Sequence, residues 1–175
     1  MKRSRTARIV LGIAASLMIL SLSSCGLLFS NILPDYFEFD GQSYDISNVY
    51  VENTGLTDAG YDIALIFTSP GLSYSTSNGY SGSGRYAVFY LLSDESDIAI
   101  GTYTFSDAET DDETFYFGET GEVEDGAFSG TYSNANGGEI LIWRPLIGGT
   151  LTVNLAVYTP EGSIEGQYRG EVIDL

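Results

Sequence analysis

The stretch Tyr36-Phe37-Glu38-Phe39-Asp40-Gly41-Gln42-Ser43-Tyr44-Asp45-Ile46 decides the fold. Two short segments flank Asp40-Gly41, a dipeptide favoured where both central residues of a turn need positive φ. The stretch therefore predicts a β-hairpin closed by a type I′ turn, Tyr36–Phe39 against Gln42–Ile46. From here to the end of the chain, short apolar-polar alternations are separated by glycine, asparagine, aspartate and proline, with no long stretch at helical period.

Tyr61, Ile63, Leu65 and Phe67 alternate with Asp62, Ala64, Ile66 and Thr68, which places a largely apolar set on one face of a strand. Leu151, Val153, Leu155 and Val157 repeat the pattern. Ile164, Tyr168 and Val172 do so against Glu165, Gln167, Arg169 and Glu171, with Thr159-Pro160-Glu161-Gly162 joining the two segments as a terminal hairpin. Tyr86 to Leu92 has no polar side, so it is expected to be a central strand covered on both faces. Further strands are expected at Ile98–Phe105, Thr114–Phe117, Ala127–Tyr132 and Glu139–Trp143. About nine or ten strands joined by short turns imply an all-β domain: an antiparallel β-sandwich or β-barrel, with a lipocalin- or calycin-like barrel as the alternative. Four Gly-x-Tyr triplets, starting at Gly84, Gly101, Gly130 and Gly166, recur at irregular intervals. They read as tight strand entries or bulges that let an aromatic ring pack closely.

The first part of the chain is different in kind. Lys2, Arg3, Arg5 and Arg8 precede an apolar run from Ile9 to about Leu22, followed by small residues and Cys25, the single cysteine. A helix crossing the hydrocarbon core needs roughly 20 apolar residues, and this run is shorter, so it reads as a secretory signal. Leu22, Ser23, Ser24 and Cys25 resemble the lipobox of bacterial lipoprotein signals, in which leucine stands three before the cysteine with small residues between. The resemblance implies that residues 1–24 are removed and that Cys25 becomes the lipidated first residue. Residues 25–34 would then form a tether and residues 35–175 a single all-β domain. Two or three acyl chains hold a protein stably where one gives only marginal binding. Because Gly26, and not aspartate, follows the cysteine, the resemblance implies an outer-membrane location, with the periplasmic or cell-surface face left open.

Phe37–Gly41, Gly101–Phe105 and Gly166–Gly170 also resemble the early hairpin, central Gly-Thr-Tyr-Thr-Phe and closing Gly-x-Tyr-x-Gly strand of uncharacterised all-β envelope lipoproteins. That likeness implies an anchored β domain and supplies no catalytic residues.

Loss of residues 1–24 leaves 151 of 175 residues and three of seven basic ones, Arg85, Arg144 and Arg169. Set against 24 acids, these give a formal charge of −21. Such a field repels nucleic acid, whose binding depends on lysine and arginine at phosphates, and leaves cations and basic partners electrostatically welcome. With no histidine anywhere and the one thiol assigned to lipid, Ser-His-Asp, Cys-His and zinc His/Cys sites are excluded. Carboxylate chemistry of the glycosidase kind survives as a minor alternative. Asp107, Glu109, Asp111, Asp112 and Glu113 form the densest acidic tract and the one calcium candidate, although their spacing matches no EF-hand. Trp143, beside Arg144, and Tyr158 are the candidate binding aromatics, within a wider group of Tyr44, Tyr50, Tyr74 and Tyr80 expected on loops or polar strand faces.

The sequence thus reads as a lipid-anchored, non-enzymatic envelope protein without a required cofactor. It is a binding or structural module for a glycan, a small ligand or an envelope protein, and a barrel-type carrier of a small apolar ligand is the alternative.

Overall fold

In the computed structural model, residues 34–107, 113–144 and 150–175 are described, with the backbone alone for 130–132. Tyr36–Phe39 (β1) and Gln42–Asp45 (β2) pair antiparallel with Phe39 opposite Gln42. Only Asp40 and Gly41 remain in the loop, at φ 52° and 70°, as a type I′ turn requires. The chain continues through Asn48–Thr57 (β3), Gly60–Thr68 (β4), Leu72–Ser75 (β5), Gly79–Gly82 (β6), Gly84–Ser93 (β7), Gly101–Phe105 (β8) and Thr114–Glu124 (β9). It closes with Ala127–Asn134 (β10), Gly137–Trp143 (β11), Leu151–Thr159 (β12), Gly162–Gly170 (β13) and Ile173–Asp174 (β14). The fold is all-β, and residues Asp35–Leu175 form one compact unit.

Twelve strands form a single strongly curled sheet in the order β14-β3-β4-β7-β9-β8-β11-β12-β13-β1-β2, with β10 also paired to β9. Pairing is antiparallel except at two short contacts, β8 with β9 and β14 with β3. The curl follows from the connections as well as from the inherent twist of strands. Strand β2 passes through Ile46 and Ser47 directly into β3, and β13 passes through Glu171 and Val172 into β14, so both chain segments link the two ends of the sheet. Ser47 N–H donates to Thr68 O at 2.8 Å and Ile46 N–H to Asp35 O at 3.0 Å, which fixes the crossing.

The concave side holds the main core. Phe37, Ile63, Leu65, Phe67, Phe89, Leu91, Tyr103, Phe115, Ile140, Ile142, Val153 and Val157, drawn from seven strands, are all fully buried in one cluster. Burying each of these larger side chains is worth about 1.5–3 kcal/mol. A second cluster lies on the opposite face of β3, β4, β7 and β9, where Tyr50, Ala64, Ile66, Tyr86, Val88 and Val123 are covered by the separate β5–β6 hairpin through Leu72. Strand β7 is therefore buried on both faces and lies between β4 and β9, as its lack of a polar side implies.

Several expected boundaries move. Strand β8 begins at Gly101 and not Ile98, and β9 runs seven residues past Phe117 to Glu124, so Glu119, Glu122 and Glu124 belong to a strand and not to a loop. Strand β3 escapes the alternation rule because Asn53, Thr54 and Gly55 interrupt it with a bulge, the register slipping between Asn53 and Gly55. Serine and glycine hide β5 and β6 in the same way. Gly84 and Gly101 do start strands, and Tyr86, Tyr103 and Tyr168 are buried two residues after their glycines. At Gly166 a Cβ would meet Tyr36 O at 2.6 Å, so this glycine lets β13 approach β1.

Gly41 and Gly138 both have positive φ, but a Cβ at Gly41 meets nothing within 4 Å while one at Gly138 would run into the Ala156 carbonyl. Gly41→Ala should therefore cost only the backbone term, about 1–2 kcal/mol. Gly138→Ala should cost a further 1–3 kcal/mol or so from forced β11–β12 displacement. Urea unfolding checks this, and equal costs for the two variants would contradict the described β11–β12 packing.

Candidate binding surfaces

Strands β11, β12 and β13 alternate inward and outward residues, apart from buried Thr152 on the outward side of β12, so their outward side chains are fixed by register. One outward row runs Thr102, Leu141, Asn154, Gln167 and Tyr36, and the next Thr104, Glu139, Ala156, Glu165 and Glu38. Trp143 lies opposite Thr152, which lies opposite Arg169. Trp143 is 41% exposed and Tyr158 59%, both on this outward face. They do not form one site, because Tyr158 pairs with Gly137, six residues from Trp143 along β11, or about 20 Å at strand rise.

What does gather around Trp143 is a different set. The β8–β11 pairing ends with Gly101 opposite Ile142, so the exposed Ile100 and Trp143 each stand one residue beyond the last pair, and the exposed Leu141 lies on β11 two residues before Trp143. Ile100 also lines a concave pocket of about 320 Å³ formed by Asp94, Glu95, Asp97, Ile98, Ala99, Glu113 and Arg144. Arg144 contacts Asp97 at 3.9 Å, an exposed ion pair of the kind that contributes little to stability and leaves both groups available to a ligand. The pocket thus combines carboxylate acceptors and one guanidinium with apolar Ile98 and Ile100, and Trp143, the only tryptophan of the chain, directly precedes its Arg144.

Of the calcium candidates, Asp107 and Glu113 are exposed, and Glu109, Asp111 and Asp112 lie outside the described residues. Glu113, at φ 57°, is held by donation from its N–H to Leu92 O and lines the pocket. Among the described residues no group of three or more potential ligands is placed to hold a metal ion. Cys25 and the lipobox residues Leu22, Ser23 and Ser24 also lie outside the described residues.

The wider tyrosine group divides. Tyr158 is exposed, but Tyr50 is buried, and Tyr74 and Tyr80 pack against the second core at ring separations of 6.0 Å (Tyr50–Tyr74) and 5.1 Å (Tyr74–Tyr80). Tyr44 packs on the main core, with the Arg85 guanidinium 5.3 Å from its ring centre. The expectation of an open aromatic surface at Tyr50, Tyr74 and Tyr80 fails because the β5–β6 hairpin, built from serine and glycine, packs these rings against the second core. Carboxylates meet the rings of the second core: Tyr74 Oη donates to Glu52 at 3.0 Å and Tyr86 Oη donates to Glu119. Asp35 is the carboxyl whose pKa is raised by burial, against the opposing effect of the hydrogen bond it accepts from Arg169 N–H.

Comparison of the chain with protein-family models, curated proteins and solved structures gives no match, so the chemistry of these surfaces alone carries their reading.

Burial, joined by the Glu52 carboxylate, pushes the Tyr74 hydroxyl up to about 12, and burial does the same for Tyr103. An unfolded phenol ionises near 10, so the folded state holds these protons more tightly. Their contribution to stability is fully present below pH 10 and is lost as pH rises toward 12. Burial also raises Tyr80, Tyr90 and Tyr168, so absorbance at 295 nm should show these tyrosines, with Tyr74 and Tyr103, ionising late in the folded protein. If all 13 tyrosines ionise together near pH 10 while the fold persists, the described burial is wrong.

Proposed function

We propose that this chain is a lipid-anchored cell-envelope lipoprotein whose β domain is a non-enzymatic binding module, with the surface around Trp143 taking a glycan. One observation carries the binding surface. The domain covers one outward face of its sheet with its own hairpin, while the face bearing Leu141 and Trp143 is exposed beside a polar pocket. Sugar rings present an apolar face that stacks on tryptophan and hydroxyls that donate to carboxylates and accept from guanidinium groups. Asp94, Glu95, Asp97, Glu113 and Arg144 supply the second set next to the first.

A carrier for an apolar ligand would use the interior, but Phe37, Phe67, Phe89, Phe115 and Tyr103 pack there in one cluster, which favours the surface reading. The anchor rests on the Leu22-Ser23-Ser24-Cys25 resemblance and the chain's charge pattern. The site is outward on the tethered domain, where it can meet an envelope polymer without a catalytic step.

As the single tryptophan, Trp143 reports on the surface without labelling. In detergent, envelope oligosaccharides should shift or quench its emission, and Arg144→Ala should weaken that response by roughly tenfold, the scale of a hot-spot contact. A panel of envelope glycans that leaves the emission unchanged would remove the glycan reading. Independently, Cys25→Ala should move the protein from the membrane to the soluble fraction, and persistent tight membrane association would refute the anchor.

A further inference from the structure

On the opposite outward face, beyond the edge of the β5–β6 hairpin, register places Glu52, Ala64, Tyr90 and Phe117 side by side on β3, β4, β7 and β9. At strand spacing this row is about 14 Å wide. Ala64 is buried between larger neighbours, while Glu52, Tyr90 and Phe117 are half-exposed. Tyr90 has Phe117 at 5.6 Å and Tyr116 at 6.1 Å between ring centres, and Tyr74 reaches over from the hairpin to donate to Glu52. Asp62 and Glu119 flank the row on the same face. Asp62 Oδ2 accepts from Thr54 at 2.6 Å, whereas its Oδ1 is buried without a hydrogen-bond partner.

These carboxylates do not have a described arginine as counter-ion. Arg85 pairs with Glu122 and Arg144 with Asp97, and the sequence after residue 24 contains no lysine. Glu52, Asp62 and Glu119 all act on the Tyr90 hydroxyl, which burial first, and their negative charge second, hold in its protonated form. Aromatic faces bordered by carboxylates that lack a counter-ion attract a cationic side chain twice, through the ring quadrupole and through charge-assisted hydrogen bonds.

We propose that the Glu52–Tyr90–Phe117 row, flanked by Tyr74 and Asp62, is a docking surface for a basic polypeptide segment that inserts lysine or arginine side chains against Tyr90. The occupant is chosen by charge complementarity, since the surface has the sign and the aromatic content that such a segment needs and the domain itself has little positive charge to offer.

The experiment measures binding of a hexalysine peptide to the full chain in detergent at about 0.15 M salt, where long-range attraction is screened. Two variants of identical net charge separate local docking from the general field: Glu52→Gln with Asp62→Asn, and Glu38→Gln with Glu165→Gln on the far face. The first should weaken binding about tenfold and the second less than twofold. Equal losses, or no binding by the unaltered chain, would overturn the proposal. Tyr90→Phe should bind as the unaltered chain does and Tyr90→Leu about fivefold more weakly, in line with a lost cation–π contact. Equal behaviour of these two variants would also overturn it, and this pair decides the matter even if the first double variant fails to fold.

Discussion

Burial of β7 on both faces is the constraint on which the rest of the structure depends. Phe89 and Leu91 enter the main core while Tyr86 and Val88 enter the second. A strand with no polar side cannot lie at the surface of a simple sandwich, so two separate covers have to exist. The curled sheet supplies one by bringing β1, β12 and β13 over the concave side, and the β5–β6 hairpin supplies the other. Large aromatic rings on both sides make this burial worth several kcal/mol, and they hold a short, serine-rich hairpin in place. Leu72, Tyr74 and Tyr80 anchor it.

Functional asymmetry follows from that arrangement. With one outward face largely occupied by the hairpin, the opposite face, built from β8, β11, β12 and β13, is the one left to present Leu141, Trp143 and Tyr158. The alternation of β11, β12 and β13 serves this: their inward residues complete the main core while outward residues such as Leu141, Asn154 and Tyr158 are exposed. The acidic surplus has a matching role. Charges spread over outward rows keep an aromatic-rich surface soluble, and opposed pairs such as Glu38 and Glu165 show that folding tolerates local like-charge contact. Arginine is used sparingly, at Glu122 beside the Tyr44 ring and at the pocket rim.

Legibility in the sequence tracked the locality of the cause. Asp40-Gly41 and Thr159-Pro160-Glu161-Gly162 specify turns by their own backbone preferences, and both hairpins form as read. The double burial of Tyr86–Leu92 was visible because a short run that is apolar on both alternating faces, bounded by serine and glycine, suits a strand covered from two sides. Strand β3 was not visible, since the Gly55 bulge breaks the period while hydrogen bonding to β4 continues. The positions of Tyr50, Tyr74 and Tyr80 depend on a hairpin built from serine and glycine, residues that signal loops locally and become strands only through their tertiary contacts. Trp143 could be selected as the lone tryptophan, but Ile100 and Asp97, which line the pocket with the adjoining Arg144, come from a different segment. The Glu52–Tyr90 row is likewise a product of register across four strands, which no single stretch of sequence displays.

One outward face is covered in part by the β5–β6 hairpin and the other presents Trp143 and Tyr158, and hydroxyl-radical footprinting of the folded protein tests this residue by residue. Trp143 and Tyr158 should be modified rapidly, while Tyr50, Tyr86 and Tyr103 should remain protected until the protein is unfolded. Modification of Tyr50 and Tyr86 in the folded protein at the rate of Trp143 would contradict the two-faced arrangement.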